Sequence, residues 1–479
     1  MLTKMVERKV MHAHHVSHLC GLLADKAYTS KRGNSTLDLF ASGAQWYEPA
    51  SLVGASPQWR TKVIIEHPTA EMCLTCRGAK LLCGKSRCPI LTKAEGFAKH
   101  VDQLYSSDLV SGSSPPGVFV GRFGYPKVFI GPMVPAIHGD TEFLDTPEMW
   151  KGKSIEDIVD YRYSLIRGCF RADIHDAVNG SRLIDTLQEV AMSNKPADSE
   201  LRLLKRPVQR ISFSENSQPF GPSAPMKEFK PSGNVSVDAR IEKAHYDRDL
   251  KAADAVFELY RSGVLFSKLE KAFSVGVFGE KKRRKLVPTR WSITAVDSTL
   301  SLRLIEEIKN YETIDDFRLF HYENLDNVYI GILLPEKWNY EWIEAWHSGT
   351  AWNQFGTRPE MIGDFEGYYG RKTYAKPGGC YYSTRLAVSE YFSRERRQGG
   401  AIMLREIHPG YILPVGVWNV RESIRSLFLT KYASFDTLDE ALDHACRLFT
   451  IDKSFWIASS ELLKRAREQM KITRYFAGS

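Results

Sequence analysis

Four cysteines lie close together early in the chain and have the spacing of a metal site. They follow the pattern Cys-x2-Cys-x6-Cys-x4-Cys, with Gly78 and Gly84 in the intervening loops. A Cys-x2-Cys half lets one tight turn present two thiolates, and glycine relieves the backbone of such a turn. We expect a closed tetrahedral Zn²⁺ site that folds a small module, with the ligands Cys73, Cys76, Cys83 and Cys88.

A 4Fe-4S cluster on the same four thiolates is the alternative metal centre. Pro89 follows the last cysteine, as it does in some ferredoxin motifs. Disulfides are less suited to this cluster, because clustered thiols in a chain without a secretory signal favour metal binding. The sequence leaves zinc and the iron-sulfur cluster both open.

The densest basic segment of the chain is a candidate phosphate-binding site. Five consecutive cations are followed closely by Arg290 and Trp291, which would supply a guanidinium and a stacking surface. Such a run is also typical of a solvated loop, since like charges repel one another. The predicted nucleic-acid contacts are Lys281, Lys282, Arg283, Arg284, Lys285 and Arg290.

Two carboxylates offer a possible catalytic centre. Asp364 and Glu366 would face the same side of a strand, and Arg371 follows them closely. With a divalent metal they could act on a phosphate, as in a nuclease. An acidic pair in a Gly/Tyr-rich segment is also commonly structural. The glycines of the chain form neither a dinucleotide-binding nor a P-loop motif.

The C-terminal tail has four residues at a spacing that suits docking to a partner. One 3₁₀ turn would place Ile472, Tyr475 and Phe476 on one side as an apolar plug, with Gln469 free to hydrogen-bond. A short helix with Ser459 or Ser460 as its N-cap should precede them. The pattern resembles a PIP box, the motif that binds the sliding clamp PCNA. The alternative is that the tail folds back to complete the core.

Composition describes a globular protein large enough for two or more domains. The chain has 479 residues, is 43% hydrophobic and 25% charged, and carries a formal charge of +8. This modest positive charge permits a polyanionic partner without requiring one. Because no apolar run reaches the length of a membrane span and no secretory signal is evident, we expect no membrane partner and a cytoplasmic location.

The order of predicted elements indicates a mixed α+β fold. A β-hairpin is predicted at 116–132, and a Pro-rich extended strap at 194–238. Trp338, Trp342 and Trp346 recur at the helical spacing of four, which indicates a packed core stripe. Helices are predicted at 156–170, 181–192, 249–260, 420–432 and 438–448, and strands at 328–334, 401–407 and 411–418.

We expect five regions in this α+β body. They are a partly ordered extension (1–65), the four-cysteine metal module (66–100), an N-terminal α+β part with the Pro-rich strap (101–240), a C-terminal α+β part (241–458), and the helix with the tail (459–479).

From about Cys73 onwards the chain resembles the Nre family of archaeal DNA repair proteins. The cysteine motif, the segments 116–122 and 287–297, Gly370-Arg371 and the tail carry this resemblance, and 287–297 is the most specific of them. The resemblance implies a role in DNA repair, the sliding clamp as partner, an N-terminal metal finger and a C-terminal PIP box. It implies no catalytic residue.

Our leading hypothesis is therefore a DNA repair protein that PCNA recruits through the tail and that contacts DNA through basic surface. A metal-dependent enzyme acting on nucleic acid or a nucleotide, centred on Asp364 and Glu366, is the alternative. A scaffold that joins the clamp to another protein without touching DNA is the third possibility.

Overall fold

The structure, a computed structural model, describes residues 75–76, 80–83, 85, 87–100, 108–207, 220–353 and 356–466. All of them belong to one unit of the chain, Tyr47–Ser479. The predicted extension 1–65, Cys73 and the tail residues 467–479 lie outside the described residues. No helix in the described ranges is both long and apolar enough to cross a membrane.

The first half of the chain forms a six-stranded sheet in the order β1-β5-β6-β4-β3-β2. Its neighbours pair antiparallel, except that β4 and β6 run parallel. The predicted hairpin is confirmed, with Val118 opposite Pro132 and Val120 opposite Ile130. The strands are β1 (Leu109–Ser114), β2 (Val118–Val120), β3 (Lys127–Val134), β4 (Ile166–Asp173), β5 (Ala197–Leu203) and β6 (Ser223–Pro231).

Among the residues that the structure describes, four helices lie in the first half of the chain. They are α1 (Pro89–Ala98), α2 (Ile155–Ser164), α3 (Asp176–Asn179) and α4 (Arg182–Ala191). The helix expected at 181–192 is confirmed. The helix expected at 156–170 is wrong beyond Ser164, because the chain turns extended at Leu165 and continues as β4. Pairing of β4 with β3 on one side and β6 on the other overrides the local helix preference.

The Pro-rich segment 194–238 is extended where the structure describes it. It contributes β5 and β6, and β5 alternates buried and exposed side chains along its length. This alternation is the pattern of a strand with one face on the core. The strap is therefore part of the first sheet.

The second sheet has the order β10-β9-β11-β8-β7-β12, and within it only the β9–β11 pair is parallel. The strands expected at 328–334 and 401–407 are confirmed. The strand expected at 411–418 is wrong, because residues 411–416 are irregular and a helix begins at Val417. The strands are β7 (Phe317–Asn324), β8 (Asn327–Leu334), β9 (Asn339–Trp346), β10 (Glu360–Glu366), β11 (Gly400–Ile407) and β12 (Ala433–Phe435).

The tryptophan stripe belongs to the core but not to a helix. Trp342 and Trp346 lie on β9 and Trp338 lies just before it, and all three are buried. Residues four apart share a face in a strand as well as in a helix, so spacing alone did not distinguish the two.

Helices cover both faces of the second sheet. One core cluster joins α8 and α9 to residues of both sheets, and a second covers the opposite face with α11, α12 and residues 462–463. The predicted mixed α+β class is thereby confirmed. The remaining helices are α5 (Ala239–Tyr246), α6 (Ala252–Arg261), α7 (Phe266–Ser274), α8 (Thr289–Ile308), α9 (Gly379–Glu395), α10 (Val417–Leu427), α11 (Leu438–Leu448) and α12 (Lys453–Ser459).

Candidate nucleic-acid interface

The turn between β2 and β3 presents two aromatic rings to solvent. The Lys127 N–H donates to the Gly124 carbonyl at 2.9 Å, which closes the turn. Gly124 has φ +84°, and a Cβ there would lie 2.8 Å from the Lys127 carbonyl oxygen, so the turn requires glycine. On either side of it, Phe123 is 76% exposed and Tyr125 is 43% exposed.

Arginine side chains accompany these rings. The Arg122 guanidinium lies 4.9 Å from the centre of the Phe123 ring, which is a cation–π contact. On the neighbouring strands, Phe129 of β3 is opposite Arg171 of β4, and the guanidinium lies 5.8 Å from the ring centre. The hairpin therefore alternates apolar ring faces with positive charge.

The start of α8 completes this surface. The Val120 N–H donates to Thr289 Oγ1 at 2.9 Å, and this bond fixes the helix against the hairpin. As a result the Trp291 ring lies 5.2 Å from the Tyr125 ring. Arg290 is exposed as a whole residue, although part of its guanidinium is shielded from solvent. This shielding is the larger cause, and the nearby charge of Arg122 the smaller cause, of a lowered pKa for Arg290.

We call this set of residues the hairpin surface. Two like charges close together favour a bound anion, and exposed rings favour stacking with planar ligands. The hairpin surface consists of Arg122, Phe123, Tyr125, Phe129, Arg171, Arg290 and Trp291.

The basic run lies close to the hairpin surface along a short path of backbone hydrogen bonds. Leu286 N–H donates to the Ile174 carbonyl, and Ile174 N–H donates to the Pro126 carbonyl in the hairpin turn. The run forms a short 3₁₀ turn at Lys281–Arg283. Its exposed cations are Lys281, Lys282, Arg283 and Lys285.

Arg284 has a different role from its neighbours. Its side chain is buried, and its guanidinium donates to the carbonyls of Gly279 at 2.7 Å, His245 at 2.7 Å and Asp247 at 3.0 Å. These bonds join the run to the end of α5. Arg284 therefore stabilises the turn that displays the other cations.

The two carboxylates considered for catalysis are each held by an arginine. Asp364 accepts from Arg371 at 2.8 Å and from the Lys376 N–H at 2.9 Å. Burial alone would raise the pKa of Asp364, but these hydrogen bonds lower it on balance. Both carboxylates lie on one strand, β10.

Glu366 is fully enclosed in a second ion pair. It accepts from Arg385 at 2.8 Å and from the Tyr381 hydroxyl at 3.1 Å. Asp297 on α8 is paired separately with Arg421 at 2.9 Å. Because each carboxylate is neutralised by its own arginine, this geometry suits the packing of α8, α9 and α10.

Three of the four predicted metal ligands are described. Cys76 is buried, and Cys83 and Cys88 are half-buried. Cys88 immediately precedes α1, and its carbonyl accepts from the Thr92 N–H at 3.0 Å. Partly shielded thiols suit a closed metal site, but Cys73 lies outside the described residues, and both the four-ligand set and the choice between zinc and a 4Fe-4S cluster stay predictions.

The helix that leads towards the tail is fixed to the body. Residues 461–466 are helical, and Ser460 Oγ accepts from the Leu463 N–H at 3.0 Å, which confirms the predicted N-cap. Glu341 on β9 accepts from the backbone N–H groups of Glu461 at 2.7 Å and Leu462 at 3.3 Å. Leu463 is fully buried. The tail residues Gln469, Ile472, Tyr475 and Phe476 lie outside the described residues.

Sequence reasoning did not predict the exposed rings of the hairpin turn or the role of Glu341 at the start of the helix 461–466. The prediction of a hairpin at 116–132 assigns no role to its turn, although two aromatic residues beside Arg122 in so tight a turn indicate exposed rings. Glu341 carried a signal too, since a carboxylate between Tyr340 and Trp342 in an apolar run requires a buried partner.

Comparison with known proteins gives consistent matches along this body. Two family models match, archaeal Nre, N-terminal, over residues 82–353 and archaeal Nre, C-terminal, over residues 366–475. The chain is 46% identical over 397 residues to DNA repair protein NreB of Archaeoglobus fulgidus, covering 83% of this chain and 98% of the relative.

Two further relatives are more distant. DNA repair protein NreA of Archaeoglobus fulgidus is 38% identical over 78% of this chain and 93% of its own length. DNA repair protein NreA of Haloferax volcanii is 34% identical over 74% of this chain and 86% of its own length. No solved structure matches the chain. With both family models covering most of its length, the chain belongs to the archaeal Nre family.

Proposed function

We propose that this protein acts in DNA repair, that the sliding clamp PCNA recruits it through the PIP box at 469–476, and that the hairpin surface contacts DNA. The repair role is supported by relatives that are named DNA repair proteins and that align with most of this chain. The observation that carries the DNA contact is the hairpin surface itself.

Exposed rings between guanidiniums are suited to unpaired bases. Every base has a π-face, so stacking on Phe123, Tyr125 or Phe129 is independent of sequence. Arg122, Arg171 and Arg290 would meanwhile neutralise phosphates. Sequence-independent contact with single-stranded DNA is what a protein that meets damage at arbitrary positions requires.

The exposed cations of the basic run extend this contact along the backbone. Lys281, Lys282, Arg283 and Lys285 would add phosphate contacts near the hairpin turn. Arg284 is excluded from this role, because its guanidinium is used by three backbone carbonyls.

The fixed helix 461–466 supports recruitment by the tail. Gln469 follows Ala466 by three residues, a span of at most about 11 Å. A clamp bound at 469–476 would thus be held close to the body, and DNA threaded through that clamp would reach a high local concentration at the hairpin surface. A weak DNA contact would then suffice.

Calorimetric titration of PCNA with the full chain tests the tail. The double substitution Tyr475→Ala and Phe476→Ala should abolish binding, because it removes two of the three apolar anchors. The control Lys464→Ala changes a residue of the preceding helix whose side chain is 42% exposed, and this variant should bind normally. Undiminished binding by the double variant would show that the tail is not the clamp-binding site.

Fluorescence anisotropy with labelled single-stranded DNA, at low salt and without PCNA, tests the DNA contact separately. The full chain should bind, and Arg290→Ala combined with Arg122→Ala should weaken binding. If the unaltered protein leaves the probe unbound at low salt, the scaffold hypothesis, in which the clamp is joined to another protein without DNA contact, is favoured instead.

A further inference from the structure

Two histidines and a glutamate meet at one edge of the second sheet. Strands β9 and β11 are parallel neighbours, so their carboxyl ends lie at the same edge. His347 follows β9, Glu406 is near the end of β11, and His408 follows β11. Their nitrogen and oxygen atoms all lie within 4.8 Å of one another.

Both imidazoles are directed at the same carboxylate oxygen. His347 Nε2 lies 2.8 Å from Glu406 Oε1, and His408 Nε2 lies 3.3 Å from that atom. The two rings are stacked, with their centres 4.7 Å apart. Thr450 also donates to Oε1 through its N–H at 3.1 Å and through its hydroxyl.

Four groups therefore converge on one oxygen, which has only two lone pairs. As a structural carboxylate Glu406 needs none of the histidines, because the N–H groups of Thr450 and Ile451 and the Thr450 hydroxyl already satisfy it. A cation between Oε1 and the two Nε2 atoms would replace the crowded hydrogen bonds with coordination bonds.

The charge and exposure of the group suit such a cation. Glu406 is fully buried, and its carboxylate faces the two imidazoles and Thr450. One carboxylate oxygen beside two imidazole nitrogens is a donor set that suits a divalent cation. The histidine side chains are about a quarter exposed, so solvent reaches the group from one side.

We propose that His347, Glu406 and His408 bind a divalent transition metal of the zinc class, with the remaining coordination position open to solvent. Imidazole nitrogen with one carboxylate favours zinc and its neighbours over magnesium or calcium. In a tetrahedral site with bonds of about 2.1 Å, ligand atoms lie roughly 3.4 Å apart. The two nitrogen–oxygen separations here are 2.8 and 3.3 Å. Thr450 and Ile451 would orient the carboxylate from behind.

This site shares no residue with the cysteine cluster or with the hairpin surface. Three protein ligands with an open position differ from a closed four-thiolate site, in which no position remains for water. An ion here would join the loop after β9 to β11 and to the segment after α11, and it would present a Lewis acid to solvent.

Titration of the metal-stripped full chain with Co²⁺ tests the proposal. Thiolate ligands give an intense charge-transfer band in the near ultraviolet, whereas imidazole and carboxylate ligands give only weak visible d–d bands, so the two sites are distinguishable. We expect His347→Ala to lose one equivalent of Co²⁺ and its visible band while any thiolate band is retained. Competition with Zn²⁺ should remove the visible band from the unaltered protein.

His138→Ala is the matched control. His138 pairs with a single carboxylate, Asp198, at 3.0 Å. Its substitution should therefore leave the number of bound Co²⁺ ions unchanged. His408→Gln is the second variant, because this substitution at a half-buried position leaves the shorter His347–Glu406 bond in place. Equal Co²⁺ stoichiometry in the unaltered protein and in both site variants overturns the proposal.

Discussion

Phe123→Ala is the most informative single change at the hairpin surface. The ring is 76% exposed, and the guanidinium that contacts it belongs to the half-buried Arg122. Removing so exposed a side chain should change the free energy of unfolding by no more than about 0.5 kcal/mol. Any effect on DNA binding can therefore be attributed to the lost ring.

The expected effect on binding follows from the stacking of one base. Removing an aromatic platform costs about 1–3 kcal/mol per stacked base. At about 1.4 kcal/mol per tenfold change, the dissociation constant for single-stranded DNA should rise by roughly 5- to 150-fold. Affinity for a duplex of the same length should change much less, since its bases are already stacked on one another.

Anisotropy titrations at fixed low salt measure both constants. Trp352→Ala is the control, because this ring is 53% exposed and contacts Trp346 at the end of β9, in the other sheet. We expect the control to bind single strands like the unaltered protein. Unchanged affinity of Phe123→Ala, or an equal loss in both variants, would refute stacking at the hairpin surface.

Four further substitutions test other parts of the molecule. Arg284→Ala should lower the free energy of unfolding, measured in urea, by about 1–3 kcal/mol, because three carbonyls lose their donor. Lys282→Ala should leave stability unchanged. It should reduce the slope of log binding constant against log salt concentration for DNA binding by about one. Burial and the nearby Asp297 charge raise the pKa of Glu270 to about 8, above an ordinary 4.5. The contribution of Glu270 to the free energy of unfolding is therefore complete below pH 4.5 and is lost as pH rises towards 8. Glu270→Gln should flatten the decline in the free energy of unfolding, measured in urea, between pH 5 and 8. Glu341→Ala removes the acceptor of two N–H groups and should speed hydrogen exchange at 461–466, by an amount that corresponds to about 1–2 kcal/mol.

Local signals in the sequence were sufficient for several elements. The hairpin at 116–132 has apolar runs on either side of a Gly- and Pro-containing turn, and both features depend on neighbours in the chain. Helix α11, predicted at 438–448, begins at a capping box that the sequence also shows, in which the side chains of Thr437 and Glu440 each accept from the other's backbone N–H group. Ser460 likewise caps the helix at 461–466.

Other elements depend on partners that are distant in the chain. The segment after Ser164 has helix-forming residues, but β3 and β6 on either side convert it to a strand. The tryptophan stripe satisfies both periods, so only strand pairing with β10 and β11 decides its structure. Such long-range pairing leaves no signal in a short window of sequence.

The roles of charged residues were the hardest to predict. Arg284 is adjacent in sequence to the exposed Lys285 and lies in the same basic run. Only Arg284 is buried, because its guanidinium donates to carbonyls at the end of α5. Glu366 resembled half of a catalytic pair until α9 supplied Arg385. His347 and Glu406 are 59 residues apart, and only the parallel pairing of β9 and β11 brings them together.

The most direct test of the central claim compares DNA that carries PCNA with bare DNA of the same sequence. Because the tail would hold the body beside the clamped strand, we predict that the full chain binds clamp-loaded DNA about 10²- to 10⁴-fold more tightly. The Tyr475→Ala and Phe476→Ala variant should bind both DNAs with the affinity measured for bare DNA. Equal affinity of the unaltered protein for the two DNAs would contradict recruitment by the clamp.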